Sequence, residues 1–186
     1  KLVTPDGYFV QGYTATDPVT GRIVTTGTPP DISVPPGVLR GPTATTSFST
    51  LTNLSATAET GDTFTTAVQI YDALGAPHVA TVTYTKQAAA GTWNYAVTVP
   101  GDEISGGTAG TPFPVASGSV AFNASGVLCT VNGAAPADVT ITTPGWTTGA
   151  AVSTWTWDIV PAPGEFNLTG YASDSATSSS TQNGSA

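Results

Sequence analysis

The sequence predicts an all-β fold, a sandwich or partly open barrel, on three observations. Apolar residues recur at every second position in several short runs. Asp or Asn followed closely by Gly separates those runs. No long segment carries apolar residues at three- and four-residue spacing, and 15 prolines and 21 glycines interrupt the chain throughout. Short strands joined by frequent turns define a sandwich or barrel.

The elements follow in order. Thr4-Pro5-Asp6-Gly7 is a turn before Tyr8-Phe9-Val10, and Asp17-Pro18-Val19-Thr20-Gly21 is a second before Arg22-Ile23-Val24. Residues 27–42, GTPPDISVPPGVLRGP, read as a Pro- and Gly-rich boundary between this opening hairpin and the main β region. Tyr71-Asp72-Ala73-Leu74-Gly75 closes one run just before the next begins at His78. In residues 80–85, Ala80, Val82 and Tyr84 point one way while Thr81, Thr83 and Thr85 point the other. Trp93, Tyr95, Val97 and Val99 share a face, as do Val120 with Phe122 and Val139 with Ile141, then Trp155, Trp157 and Ile159. Each predicts a half-buried strand with a Thr-rich outer face. Asn123-Ala124-Ser125-Gly126 turns between SVAF and VLCTV. The tail after Tyr171, ASDSATSSSTQNGSA, has almost no apolar residues and is expected to be extended or poorly ordered unless something holds it.

Composition narrows the function classes. A chain of 186 residues buries a real core, removing roughly 70% of its unfolded surface from water. Only 9% of residues are charged, and Thr and Ser, about a quarter of the chain, fill the polar positions instead. Net charge is −8, and the four cations, Lys1, Arg22, Arg40 and Lys86, are scattered. Phosphate neutralisation needs clustered cations, so no nucleic acid and no anionic membrane is predicted as a partner. No run approaches the ~20 apolar residues that span a bilayer. Lys1 leads into TPDGYF rather than an apolar segment, so no signal peptide is read there.

Candidates for chemistry are few. His78 is the only imidazole, and its place just after a turn and Pro77 predicts an exposed or capping side chain. A Ser-His-acid site needs that base within reach of a nucleophile and an orienting acid. Cys129 is the only cysteine, which excludes an internal disulfide and a thiolate metal site. Its neighbours Val127, Leu128 and Val131 predict a buried, inert thiol. The carboxylate pairs open to glycoside-hydrolase chemistry are Asp102 with Glu103 and Asp158 with Glu165. Adjacent side chains diverge, and Asp158 falls on the Thr154/Thr156 face opposite the tryptophans, so no catalytic, cofactor or metal residue is assigned. Trp155 and Trp157 share a strand face, which fits a core strand or, as the alternative, a sugar-stacking platform. Asn53, Asn123, Asn167 and Asn183 stand in N-x-S/T triplets, which chance supplies in a chain this rich in hydroxyls.

AVQIYDALGAPHVATVTYTK followed by GTWNYAV looks like the flagellar hook protein of bacteria. That family carries a strand, a Tyr-Asp-x-x-Gly-x-x-His turn, an alternating strand and a Trp-centred strand. Here these are Val68–Tyr71, Tyr71–His78, Ala80–Lys86 and Trp93–Val97. LVTPDGYFVQGY, TATTSFSTLTNLSA, GSVAFNASGVL and FNLTGYASDSATSSSTQNGSA resemble further family segments in the same order. The family's terminal helical segments have no counterpart, which reads as a fragment.

The resemblance implies an outer β domain over residues 41–170, inserted into a smaller β-rich inner domain represented by residues 1–40 and 171–186. It implies a structural protein without enzyme activity. Its partners would be copies of itself in a helical tube, with other axial proteins at the hook ends. Its place would be the flagellar hook outside the cell, where the tube passes torque from motor to filament while bending. A hinge is expected where the chain crosses between domains, near Gly37–Pro42 and Thr169–Ala172. Without terminal helices the chain is expected to be monomeric. The rival readings are a secreted carbohydrate-binding module using Trp155 and Trp157, an adhesin-like or phage structural domain, and a carboxylate hydrolase.

Overall fold

Alternation in the sequence becomes alternation of burial in the structure. In this computed structural model, which describes residues 1–18, 20–33 and 41–186, the strand Pro77–Lys86 buries His78, Ala80, Val82, Tyr84 and Lys86 and turns Val79, Thr81, Thr83 and Thr85 outward. No α-helix forms among the described residues. The chain divides into two compact units, Lys1–Arg40 and Gly41–Ala186.

The first unit is a loose set of isolated bridges, Val3 with Phe9, Thr16 with Ile23 and Gln11 with Asp31. Both predicted turns form. Gly7 N–H donates to Thr4 O at 3.0 Å, and Gly21 N–H donates to Asp17 O at 2.9 Å. Val19 lies outside the described residues, as does Val34–Arg40 of the Pro- and Gly-rich boundary. Lys1 Nζ reaches Asp31 at 2.8 Å. That bond, with a second from Gln11, holds the Asp31 carboxyl below its ordinary value.

The second unit holds ten strands: β1 Ser47–Asn53, β2 Thr63–Tyr71, β3 Pro77–Lys86, β4 Thr92–Pro100, β5 Pro112–Phe122, β6 Leu128–Val131, β7 Val139–Thr142, β8 Thr154–Trp157, β9 Leu168–Thr169 and β10 Ala176–Gln182. They make two five-stranded sheets. One is an antiparallel meander in the order β2-β3-β4-β5-β6. The other is mixed: β1 pairs antiparallel with β10 but parallel with β8 and β9, and β7 flanks β8.

The buried faces of the two sheets meet at Trp157. Its ring lies 6.2 Å from Phe48 of β1, 6.2 Å from Tyr84 of β3 and 5.3 Å edge-on from Tyr95 of β4. Trp155 and Trp157 are both fully buried. They are core residues, so the sugar-stacking platform does not exist. Two buried indoles hold the sheets together with several kcal/mol each at about 25 cal/mol per Å² of apolar area.

The tail is extended and held. β10 lies along β1, where hydroxyl pairs Ser49–Thr181 and Thr52–Thr177, each at 2.9 Å, bridge the strands. The second expected hinge segment is tied into this unit. Tyr171 N–H donates to Asn53 Oδ1 at 2.9 Å, Gly170 N–H to Gly126 O at 2.9 Å, and Ala56 N–H to Tyr171 O at 2.9 Å. A swing at Thr169–Ala172 would break these bonds. Of the first hinge segment, Gly37–Arg40 lies outside the described residues.

The outer face of the meander carries hydroxyls in register. Thr63 pairs with Thr85 and Thr85 with Asn94, which pairs with Ser119. One step along, Thr65, Thr83, Ala96 and Ser117 make the next row, then Ala67, Thr81 and Thr98. The only Lys of the sheet, Lys86, turns inward and donates to the carbonyls of Gln87 at 2.9 Å and Ala89 at 3.2 Å.

Candidate functional site

The densest polar cluster sits where β2 turns into β3. Asp72, fully buried, braces that turn. Its Oδ1 accepts the backbone N–H of Leu74 at 2.8 Å and of Ala76 at 2.9 Å. Gly75 N–H closes the turn on Asp72 O at 3.1 Å. Gly75 takes φ +81°, and a Cβ there would lie 2.6 Å from Pro42 Cβ, so only glycine fits.

His78 is buried beside it, 3% exposed. Its Nε2 is 3.2 Å from Asp72 Oδ2 and its Nδ1 is 2.7 Å from Glu103 Oε2. The imidazole stacks on Trp146, ring centres 3.7 Å apart and planes 17° apart. Thr148 Oγ1 donates to Asp72 Oδ2 at 2.7 Å. Glu103 ends the short 3-10 turn Gly101–Glu103, and its carbonyl accepts Thr147 N–H at 2.8 Å. The cluster therefore ties the β2–β3 turn, the 3-10 turn and the Trp146–Thr148 loop together at one end of the sandwich.

This overturns the expectation of an exposed His78. The physical reason is strand parity. Ala80, Val82 and Tyr84 face inward, and the same alternation carried one step back points His78 inward too. That signal was present in the sequence.

The cluster has the ingredients of an acid–base site but not its geometry. A general base needs one ring nitrogen free to take a nucleophile's proton. Here carboxylates occupy both nitrogens, and the one hydroxyl at hand, Thr148, donates to Asp72 rather than to His78. Burial works to raise the Asp72 carboxyl. The bonds from Thr148, His78, Ala76 and Leu74 outweigh it and hold the group below its ordinary value. The arrangement is a lock. Among the described residues no three His, Cys, Asp or Glu side chains stand where they could hold a metal.

The other candidates stand apart from it and from each other. Asp102 is exposed and lines a surface groove, while the Glu103 carboxyl turns to His78. Asp158 neighbours Asp138 rather than Glu165. One of its oxygens is buried without a partner, and its carboxyl is pushed up, first by desolvation and then by the Asp138 charge. Cys129 is exposed, contrary to the expectation of a buried thiol, with Sγ 3.2 Å from Ala121 O. A β-bulge opposite Ala121 and Phe122 lets Leu128 and Val131 both face the core and turns Cys129 outward.

The four triplet asparagines brace the fold. Asn53 Nδ2 donates to Ser173 O at 3.0 Å and Asn167 Nδ2 to Asp158 O at 2.9 Å. Asn183 Nδ2 donates to Thr46 Oγ1 at 2.8 Å, and Asn123 Oδ1 accepts Ser125 N–H at 2.9 Å.

Residues 39–185 match the family described as the flagellar basal body protein FlaE D2 domain, the D2 domain of the hook protein FlgE. The chain belongs to that family. It is a structural, non-enzymatic family of the flagellar hook. Among solved structures the chain is similar to the 32 kDa fragment of the flagellar hook protein FlgE from Caulobacter crescentus, at 21% identity and a TM-score of 0.50. The likeness covers 64% of this chain and 46% of that fragment, so the chain spans less than half of its length. No curated protein matches. At that identity the structural likeness speaks for the all-β fold alone. Family membership rests on the match over 39–185.

Proposed function

We propose that this chain is part of a hook subunit that polymerises with copies of itself into a flexible tube outside the cell, carrying torque from motor to filament. The match over residues 39–185 carries the reading. In it, residues 41–170 form the outer β domain, and residues 1–40 and 171–186 lead to and from the inner one, with the tail running along β1. Axial proteins at the hook ends are the further partners.

The physics of the second unit supports this role. A bending joint needs contacts between neighbours that shorten and lengthen, and tightly packed apolar interfaces resist that. Threonine and serine hydroxyls exchange protein and water partners at a net cost of about 1 kcal/mol each. The buried lock around His78, by contrast, keeps each subunit rigid.

Producing the full-length subunit that carries this chain in a bacterium deleted for its own hook gene tests the reading. Restored curved hooks in electron micrographs, with swimming, are the expected result. A folded, exported subunit that builds no hook refutes it.

A further inference from the structure

We infer that the outer face of the β2–β6 sheet is the seat of a neighbouring copy of this chain, and that the neighbour docks through its Val127–Tyr171 end. This rests on the hook reading above and names the contact within it.

Nine of the twelve acids but only one of the four cations lie in residues 41–186. Two copies of this unit therefore repel except where a surface carries no charge. The β2–β6 sheet supplies such a surface. Its strands contain no Asp, Glu or Arg, and their single Lys86 and His78 are buried on the opposite face.

At the end of that face where β4 finishes and β5 starts lies a groove of about 370 Å³. Val79, Pro100 and Pro112 give it apolar walls, Thr81, Thr83 and Thr98 give it hydroxyls, and Asp102 is its one acid. Val79 is 45% exposed there.

A complementary knob stands at the opposite end. Val127 and Tyr171 are 39% and 51% exposed at the other end of the same sheet, past the β5–β6 turn. The Tyr171 ring lies directly over Gly126, where a Cβ would come within 2.6 Å of it. No charge stands on this turn, Asn123–Val127. The eleven residues of β5 separate groove from knob by roughly 35 Å.

A groove and a knob at opposite ends of one subunit make a heterologous contact. Such a contact repeats without closing on itself and so builds an open helical row. An apolar tip among hydroxyl rows also gives a contact that is held at one point and wet around it.

Cysteine cross-linking in assembled tubes tests this. Cys129→Ser removes the only native thiol of the chain, and Thr83→Cys with Val127→Cys then places one thiol in the groove and one on the knob. With a short bifunctional thiol reagent the double variant is expected to give a ladder of covalent multimers, and each single variant monomers only. Dimers from Thr83→Cys alone would mean that the face pairs with itself, and a cross-link to a different protein would mean another occupant. Either result overturns the inference, as do tubes that give no ladder. Each of these leaves the hook reading standing. A wild-type subunit that forms no tubes defeats the hook reading, and the contact falls with it.

A second variant guards against misfolding. Thr83→Asp, on the outward face, is expected to lower incorporation in competition with wild type by roughly tenfold or more, since docking would strip water from a carboxylate against an uncharged tip. Equal incorporation overturns the inference.

Discussion

Replacing His78 with alanine removes the one side chain that joins Asp72 to Glu103, and the two arms of that bridge are unequal. Asp72 is fully buried, and its Oδ2 would keep only the Thr148 hydroxyl. Removing the partner of a buried charge costs about 3–5 kcal/mol, because that charge stays buried and uncompensated. Two backbone N–H bonds still support Asp72 Oδ1, which places the loss near the lower end of that range. The Glu103 side chain is 34% exposed, so solvent screens its arm to about 1 kcal/mol or less. Lost stacking on Trp146 adds about 0.5–1.5 kcal/mol.

His78→Ala should therefore destabilise the chain by about 3–5 kcal/mol in urea unfolding. Glu103→Gln should cost about 1 kcal/mol or less. A double-mutant cycle should place most of the coupling between His78 and Asp72. A loss below about 1 kcal/mol for His78→Ala, or a larger coupling to Glu103 than to Asp72, would refute the reasoning.

Further outcomes follow from the same geometry. The Asp72 carboxyl is depressed in the folded state, so its stabilisation is present above the unfolded value of about 3.9 and is lost as pH falls through the folded value below it. Asp72→Asn should flatten the acid limb of stability against pH below about pH 4; an unchanged limb contradicts this. The Asp158 carboxyl is raised, so its charged form is penalised at neutral pH, and Asp158→Asn should increase thermal stability at pH 7. Gly118→Ala would put a Cβ 1.9 Å from Asn132 Oδ1 and should cost about 1–3 kcal/mol by overpacking, read as a shift in urea midpoint. Native protein should react with one equivalent of a thiol reagent at Cys129, and protection would contradict its exposure. The isolated chain should sediment as a monomer at micromolar concentration, and stable oligomers would contradict this.

Much of the fold was legible because the meander strands are half-buried and alternate cleanly. Ala80 to Tyr84, Trp93 to Val99 and Trp155 to Trp157 each read correctly from parity alone. The turns at Asp72 and Asn123 read correctly because one side chain oxygen braces each of them. β10 was illegible as a strand because it has no apolar face. It is held by hydroxyl pairs to β1, and Ser49 and Thr181 are 132 residues apart in sequence. Cys129 was misread because a bulge breaks the period of two, and bulges leave no mark in a four-residue strand. The lock around His78 was half legible. The turn and the inward parity were in the sequence, but Glu103 and Thr148 reach it from loops 25 and 70 residues downstream, which no local pattern shows.

The central claim is that this unit works through its shape and its neighbour contacts. Helical reconstruction by electron microscopy of the tube built by the full-length subunit tests it most directly. The account predicts a repeating β unit whose charge-free β2–β6 face lies against the Val127–Tyr171 end of the next copy. A tube in which that face lies open to solvent, or a subunit that forms no tube, would contradict it.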